Sequence, residues 1–262
     1  MANKLPLHIL KIGGAVVDDA PLLQEALQAF AAIPHAKILV HGGGQAANDM
    51  AKKLGITPVM LNGRRVTDQA TLEVVTMVYA GWLNKSIVAQ LQALDCDSLG
   101  LSGADLNVIR ASLRPPKPVD YGFAGDIQAV NTERMQWLLE NKVSPVCCAI
   151  THNKEGQLLN TNADTITASL ATAMSKHYDV SIYYCFTKPG VMVDPDKPET
   201  IIPEINTESY RELKAAGIIK DGMLPKLENA FDALQKGVDQ VIIGSVAAIH
   251  PESGIAKTVI RR

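Results

Sequence analysis

Lys11 sits near the end of the apolar run Leu7 to Ile12, and Gly13 and Gly14 follow it at once. A cation at the carboxyl end of a buried parallel strand stands where ligands of open α/β sheets bind. Glycines beside it let backbone N–H groups approach oxyanions closely. The pattern suits a phosphate, although a strand-end turn with a snorkelling lysine has the same spelling. A second cluster, His41-Gly42-Gly43-Gly44-Gln45, closes another apolar run and opens a helix. Donors at a helix N-terminus make an anion site, and close backbone approach would explain the entropic cost of three glycines. Two other chemistries use similar letters. A serine hydrolase needs Gly-x-Ser-x-Gly, and Gly100-Leu101-Ser102-Gly103-Ala104 lacks the last glycine. A dinucleotide fold needs Gly-x-Gly-x-x-Gly after the first strand, and Gly13-Gly14-Ala15 does not supply it.

Three further groups carry charge or amides in unusual places. Asn62-Gly63-Arg64-Arg65-Val66-Thr67 puts two arginines in a turn-rich segment. Arginine grips carboxylates with a two-pronged fork, so one of them could hold a substrate carboxylate; solvated arginines beside a hairpin turn are the plain alternative. Asn160-Thr161-Asn162-Ala163-Asp164 gathers two amides and a carboxylate at the start of a helix. Capping explains Asn162 or Asp164 and does not need all three. Lys226 enters the first turn of a late helix, where the dipole disfavours a cation unless an anion is near.

The elements that must position these residues alternate. Leu7 to Ile12, Lys37 to His41, Pro145 to Thr151, Val180 to Phe186 and Gln240 to Ile243 read as buried strands, the last of them central. Leu99 to Ser102, Asn107 to Leu113 and Gln157 to Asn160 read as shorter strands. Helical periodicity covers Pro21 to Ile33, Ala46 to Leu54, Gln69 to Leu94, Thr132 to Asn141, Ala163 to Lys176, Thr207 to Ala216 and Pro225 to Lys236. Thr57 to Thr67 suits a hairpin. Pro115-Pro116 with Pro118, and the stretch Pro189 to Pro203, suit exposed loops. The β-α-β-α opening implies a mainly parallel sheet covered on both faces, an α/β chain of three layers, α/β/α. A lobe boundary is placed near Asp179, dividing 1–178 from 179–262.

Bulk properties narrow the partners. The 262 residues carry a formal net charge of −2, which argues against nucleic acid as the main partner. With 47% hydrophobic and 20% charged residues, the composition is that of a globular domain. Cys96, Cys147, Cys148 and Cys185 form no CxxC pair and read as buried free thiols of a reducing compartment. No apolar segment is long enough for a signal peptide or a membrane span, so the expected location is the cytoplasm.

Taken in order, KIGG at 11–14, HGGG at 41–44, NGRRVT at 62–67, GLSGAD at 100–105, YGFAGDI at 121–127, LLNTNADT at 158–165, KPGV at 188–191 and IIKDGMLPK at 218–226 resemble the amino-acid kinase family. NGxRVT with NxNAD points to its N-acylglutamate branch rather than to aspartate, uridylate or carbamate kinases. The resemblance implies ATP-dependent phosphorylation of the γ-carboxylate of an N-acyl-L-glutamate, N-acetyl-L-glutamate first, in arginine biosynthesis. It implies that Lys11 and Lys226 flank the transferred phosphoryl group, that Asp164 orients both, and that the backbone of Gly13, Gly14, Gly43 and Gly44 donates to phosphoryl and substrate oxygens. Arg65 and Asn160 would hold the α-carboxylate, with Asn162 nearby. Thr187, Lys188, Pro189, Gly190, Val191 and Met192, with Ile218, Ile219 and Lys220, would lie at the nucleotide. Mg2+ would come mainly on the ATP phosphates, with no metal ligands from the chain. The loop around Tyr121 to Asp126 and GLSGAD would line the acyl end.

The family usually reads Thr-Asp-Val-x-Gly-Val near the nucleotide. Here Thr187 stands at the aspartate position, and Lys188 beside it could supply a phosphate contact instead. Arginine-inhibited members carry an extra N-terminal helix that builds hexamers. Strand one here begins about six residues in, so the resemblance implies an arginine-insensitive homodimer, with the Gln69 to Leu94 helix as a candidate interface. N-succinyl-L-glutamate as acceptor, another carboxylate or carbamate kinase, and a non-catalytic regulatory paralogue are the competing readings. The chemistry itself is consistent: a γ-carboxylate is anionic near neutral pH, so alignment and charge neutralisation are the work left to the protein.

Overall fold

A computed structural model describes residues 4–61, 63–194, 196–219, 223–249 and 254–262. The chain begins with β1 (Leu5–Ile12), a short turn of helix α1 (Gly14–Val17), α2 (Ala20–Ala31), β2 (Ala36–His41) and α3 (Ala46–Lys53). A hairpin follows, β3 (Val59–Leu61) and β4 (Arg64–Val66), then α4 (Gln69–Val75), a π-helical segment (Thr76–Leu83) and α5 (Asn84–Gln92). The middle holds β5 (Ser98–Leu101), β6 (Ile109–Leu113), β7 (Gly125–Val130), α6 (Thr132–Glu140), β8 (Ser144–Cys147), β9 (Ile150–His152), β10 (Leu158–Asn160) and α7 (Ala163–Met174). The last part runs β11 (Tyr178–Phe186), β12 (Glu204–Ile205), α8 (Thr207–Ala215), α9 (Met223–Gln235), β13 (Gln240–Ser245) and β14 (Thr258–Ile260).

Among the described residues eight strands form the main sheet, in the order β12-β14-β13-β11-β1-β2-β8-β5. Six of them, β13 through β5, run parallel, and β14 meets β13 antiparallel. Parallel strands need crossovers, and the crossover helices cover both faces. Accordingly β1 is buried on both sides, with Leu7, Ile9 and Ile12 fully inaccessible. One apolar cluster lies between the sheet and α7 and α9, and the other between the sheet and α2, α4 and α5. This is the three-layer α/β arrangement with a mainly parallel sheet that the alternation implies. A second sheet, β10-β9-β6-β7, stands beside it.

Four elements differ from the sequence reading. Pro145 to Thr151 is two strands in two sheets, because the chain leaves β8 and enters β9 across Cys148-Ala149. Every residue from Ser144 to Thr151 is buried, so the apolar run conceals the change of sheet. β7 is half-exposed along its length, which weakens its hydrophobic alternation. Gln240 to Ile243 is followed in the sheet by β14 and β12, two short edge strands. The long helix over 69–92 is continuous, capped by Asp68 on the Thr71 amide at 2.8 Å, but its centre winds as a π-helix. The β1 ladder runs from β11 straight to β2, so the sheet continues across residue 179.

Candidate active site

The carboxyl ends of β1, β2 and β11 meet the start of α7, and each brings one part of the site. Lys11, penultimate in β1, reaches Asp164 in the first turn of α7, with Nζ 2.9 Å from Oδ1. The Lys11 side chain is 12% exposed and that of Asp164 28%, so this pair is screened less than a surface ion pair. Asn162 caps α7 by accepting from the Asp164 and Thr165 amides at 2.8 and 3.1 Å. The capping role therefore belongs to Asn162, and Asp164 is left to face the lysines.

Lys226, in the first turn of α9, comes to the same place. Its ammonium lies 4.2 Å from the centroid of the Phe186 ring, and that of Lys11 lies 5.9 Å from it. Phe186, the last residue of β11, is thus an aromatic floor shared by two cations. Its only mark in the sequence is an aromatic at the carboxyl end of a central strand. Partial burial lowers the Lys226 pKa first, Lys11 lowers it further, and Asp164 opposes both. Two cations with one carboxylate leave a positive excess, which fits the phosphates of a nucleotide. Among the described residues no cluster of three or more His, Cys, Asp or Glu could hold a metal. Asp164 is the carboxylate that both lysines share among the described residues.

The glycine loops lie against one another. A Cβ on Gly14 would sit 2.9 Å from the Gly44 Cα, and one on Gly43 would overlap the Tyr79 ring. Gly44 has φ +50°, and a side chain there would strike the Asp18 carboxylate. That carboxylate accepts from the Gln45 amide with both oxygens, at 3.0 and 2.8 Å, and so pins the opening of α3. Asp18 is a second site residue without a mark of its own in the sequence. Among the described residues the Gly43 and Gly44 amides donate to no protein acceptor, which leaves them available to an anion.

Beside these loops is a cavity of about 390 Å³. Gly14, Gly43, Gly44, Arg65, Asn160 and Asn162 all line it, so residues from four separate parts of the sequence converge. Arg65 donates from Nη2 to Asn48 Oδ1 at 2.7 Å, and Asn160 donates from Nδ2 to Thr67 Oγ1 at 3.0 Å. Both side chains are thereby oriented before any ligand arrives. Arg64, Arg114, Ala124 and Gly125 complete much of the wall. Arg114 is ion-paired with Asp126 and lies over Tyr121. Through Ala124 and Gly125 the Tyr121 to Asp126 loop reaches the cavity. GLSGAD does not: Ser102 and Asp105 bond each other, and Gly100 abuts Asn84.

The remaining sequence candidates lie beyond Phe186. Thr187 to Met192 continue from β11. Gly190 packs against Thr258 with no room for a Cβ, and the Val191 amide donates to Thr258 Oγ1 at 2.8 Å. Val191, Met192 and Ile219 are buried, so their side chains belong to the core and only backbone is left for a ligand. Ile218 is half-buried beside them. Lys220, together with Asn62, Asp221 and Gly222 of the motifs, lies outside the described residues. The four cysteines are buried and free. No described helix is long and apolar enough to cross a membrane.

His41, at the end of β2, is fully buried, and burial pushes its imidazole down to about 4, with Lys85 adding to the effect and the Gly42 carbonyl opposing it. The unfolded chain, with an ordinary imidazole, takes up a proton below about pH 6.5 that the folded chain refuses until about pH 4. Stability should therefore fall as pH drops through that window, by roughly 3 kcal/mol in all. Urea midpoints measured between pH 7 and 4.5 should show the fall, and His41→Asn should flatten it relative to the parent chain. Identical pH profiles for the two proteins would contradict this.

Comparison with known proteins places the chain in a family. Residues 6–245 match the model of the amino acid kinase family. An acetylglutamate kinase of Parabacteroides distasonis is 48% identical over 248 residues, covering 95% of this chain and 97% of that one. One of Methanopyrus kandleri is 35% identical over 97% of this chain and 100% of that one. Among solved structures, the carbamate kinase of Giardia lamblia bound to AMP-PNP superposes with a TM-score of 0.72 at 16% identity, covering 100% and 99% of the two chains. The N-acetylglutamate synthase of Neisseria gonorrhoeae superposes with a TM-score of 0.81 at 19% identity, over 99% of this chain and 60% of that one. These structural likenesses speak for the fold, and the match along nearly all of the sequence, joined to the paired lysines and abutting glycine loops, means that the chain belongs to the amino acid kinase family.

Proposed function

We propose that this chain transfers the γ-phosphoryl group of ATP to the γ-carboxylate of an N-acyl-L-glutamate, with N-acetyl-L-glutamate the first candidate, as a step of arginine biosynthesis. The observation that carries the reading is the adjacency of two half-sites. Lys11, Asp164 and Lys226 gather on Phe186, and the cavity with Arg65 and Asn160 opens beside the glycine amides. Arg65 and Asn160 hold the α-carboxylate, and Asn162 stands nearby. The γ-carboxylate then lies toward Gly14, Gly43 and Gly44, whose N–H groups receive phosphoryl oxygens. Lys11 and Lys226 neutralise charge on the transferred group, and Asp164 keeps the ammonium groups aimed. The nucleotide extends along Thr187 to Met192 and Ile218 to Lys220, with Mg2+ carried on its phosphates and neutralising charge there.

In this reading residues 1–178 bind the acyl amino acid and 179–262 the nucleotide. The cavity supports the division, because all its lining residues fall between Gly14 and Ala163. A homodimer and a cytoplasmic location belong to the same proposal. Met77 and Trp82 on the long helix are 54% and 72% exposed, a face suited to a second copy, and the free buried thiols suit a reducing compartment.

A second acceptor, N-succinyl-L-glutamate, is favoured by one observation: Arg64 lines the cavity in addition to Arg65, one cation more than an α-carboxylate requires even with Arg114 committed to Asp126. ADP release with Mg-ATP should be compared for N-acetyl-L-glutamate, N-succinyl-L-glutamate, free glutamate and aspartate. Turnover is expected on an N-acylglutamate alone, and the faster of the two names the acyl group. A folded protein idle on both would overturn the proposal in favour of another carboxylate or carbamate acceptor or a regulatory role.

A further inference from the structure

His41 directly precedes the glycine loop, yet its side chain is fully buried and points away from the cavity wall. Among the described residues its ring makes two polar contacts. Nδ1 lies 2.8 Å from the Gly42 carbonyl oxygen, and Nε2 lies 3.0 Å from Asn84 Nδ2. A carbonyl oxygen only accepts, so Nδ1 must carry the proton. The other end agrees independently. Asn84 Nδ2 also lies 2.9 Å from the Val146 carbonyl, and Asn84 Oδ1 takes a hydrogen bond from Lys85 Nζ at 3.2 Å. The amide is therefore oriented with its NH2 toward His41, which leaves Nε2 as an acceptor.

From these contacts we infer that His41 is a positioning residue: its Nδ1–H holds the Gly42 carbonyl toward the core and thereby turns the Gly43 N–H toward the cavity. In a trans peptide the C=O of one residue and the N–H of the next point in opposite directions. Fixing the Gly42 oxygen on the core side fixes the Gly43 hydrogen on the other. Glycines give this loop no side chain to hold its peptide planes, so an unaided Gly42-Gly43 peptide would be free to rotate. The Gly43 N–H has no protein acceptor among the described residues, as a donor kept for a ligand should.

The π-helical segment supplies the other half of the device. Tyr79, inside it, packs its ring where a Gly43 Cβ would fall, and Asn84, five residues on, reaches His41. In an α-helix residues five apart face about 140° from each other. The i→i+5 winding brings them nearer to one face, and such segments recur at functional sites. Tyr79 blocks the loop from one side while Asn84 sets the tautomer that holds it from the other.

The catalytic consequence rests on the proposed phosphoryl transfer, whereas the tautomer does not, so two measurements are needed. In protein carrying ring-15N histidine and 1-13C glycine, His41 should show a protonated Nδ1 hydrogen-bonded to the Gly42 carbonyl; an Nε2–H tautomer would overturn the inference whatever the substrate. In kinetics, His41→Gln puts its amide at the Nε2 position and loses the bond to Gly42, while His41→Asn keeps a donor near Nδ1. His41→Gln should lower kcat about 30-fold, less than the 10²–10³ for outright removal of an oxyanion donor, with both KM values little changed. His41→Asn should recover most of that loss. Equal kcat losses in both variants, each tracking a lowered Tm, would reduce His41 to packing and sink the inference. Should His41→Gln fail to fold, Asn84→Leu must lower kcat at unchanged KM, and an unaltered kcat there counts against it. If the parent enzyme is idle on every N-acylglutamate but shows the Nδ1–H bond, the functional proposal falls and the peptide lock stands.

Discussion

Lys11→Ala is expected to lower kcat on the N-acylglutamate by about 10²-fold or more, as loss of other electrostatic stabilisers does, while the protein stays folded. The γ-carboxylate needs no base, so the barrier is dominated by bringing an anion to an anionic phosphoryl group. Lys11 is the cation best held for that task. Its ammonium is 2.9 Å from Asp164 and sits on the Phe186 ring, and its side chain is mostly buried. A preorganised charge in a partly desolvated site acts more strongly than one in water and needs no reorganisation during the reaction. Alanine also leaves Asp164 facing the phosphates without its partner, a repulsion that Lys226 only partly offsets. Steady-state kinetics with both substrates varied would check this. A loss confined to KM, with kcat retained, would remove Lys11 from the reacting group.

Arg65→Ala should act on the other constant. A charge-assisted hydrogen-bonded pair contributes roughly 1.5–3 kcal/mol, so KM for the acyl amino acid should rise about 10- to 150-fold. The kcat at saturation should change little, because the α-carboxylate does not gain charge in the transition state. Arg65 is preset for this contact by Asn48 at 2.7 Å and by the Tyr79 phenol beside it. Arg65→Lys should recover only part of the affinity, since a point charge cannot reproduce the two-pronged grip. An unchanged KM for the acyl amino acid, with the ATP constants also intact, would end the assignment and turn attention to Arg64 or Arg114.

The difference between these constants reflects how the site is assembled. In the proposed reading the acyl amino acid side draws only on residues between Gly14 and Ala163, which line the cavity. The reacting side needs β11 and α9 as well, because Phe186 and Lys226 come from there. Lys226 is held with a lowered pKa by burial and by Lys11, so its charge is tied to Asp164. Exchanging Asp164 would therefore disturb both lysines together, and its effect should not be additive with theirs.

Much of this was legible in the residues. Apolar runs bounded by glycine identified the central strands, because a strand buried on both faces must be apolar throughout. Lysine before Gly13-Gly14 and the triple glycine after His41 marked phosphate chemistry, because only backbone donors free of side chains approach oxyanions so closely. The same logic could not reveal Asp18 or Phe186. An aspartate that clamps the Gln45 amide reads like any helix-flanking acid, and an aromatic closing a buried strand reads as core. The junction of β8 and β9 was hidden because burial continues while the sheet changes.

Local periodicity and side-chain character dictate the alternation of elements, the layer type and the kinds of group available to chemistry. Tertiary structure alone decided which groups meet. It set two ammonium groups on one phenyl ring, left Asn162 to cap a helix and Asp164 to face the lysines, and excluded GLSGAD from the cavity. It also wound one stretch of a helix so that Tyr79 and Asn84 both serve the glycine loop. These are facts about distances between residues far apart in the chain, and they are fixed only when the strands pair in the order β11-β1-β2-β8.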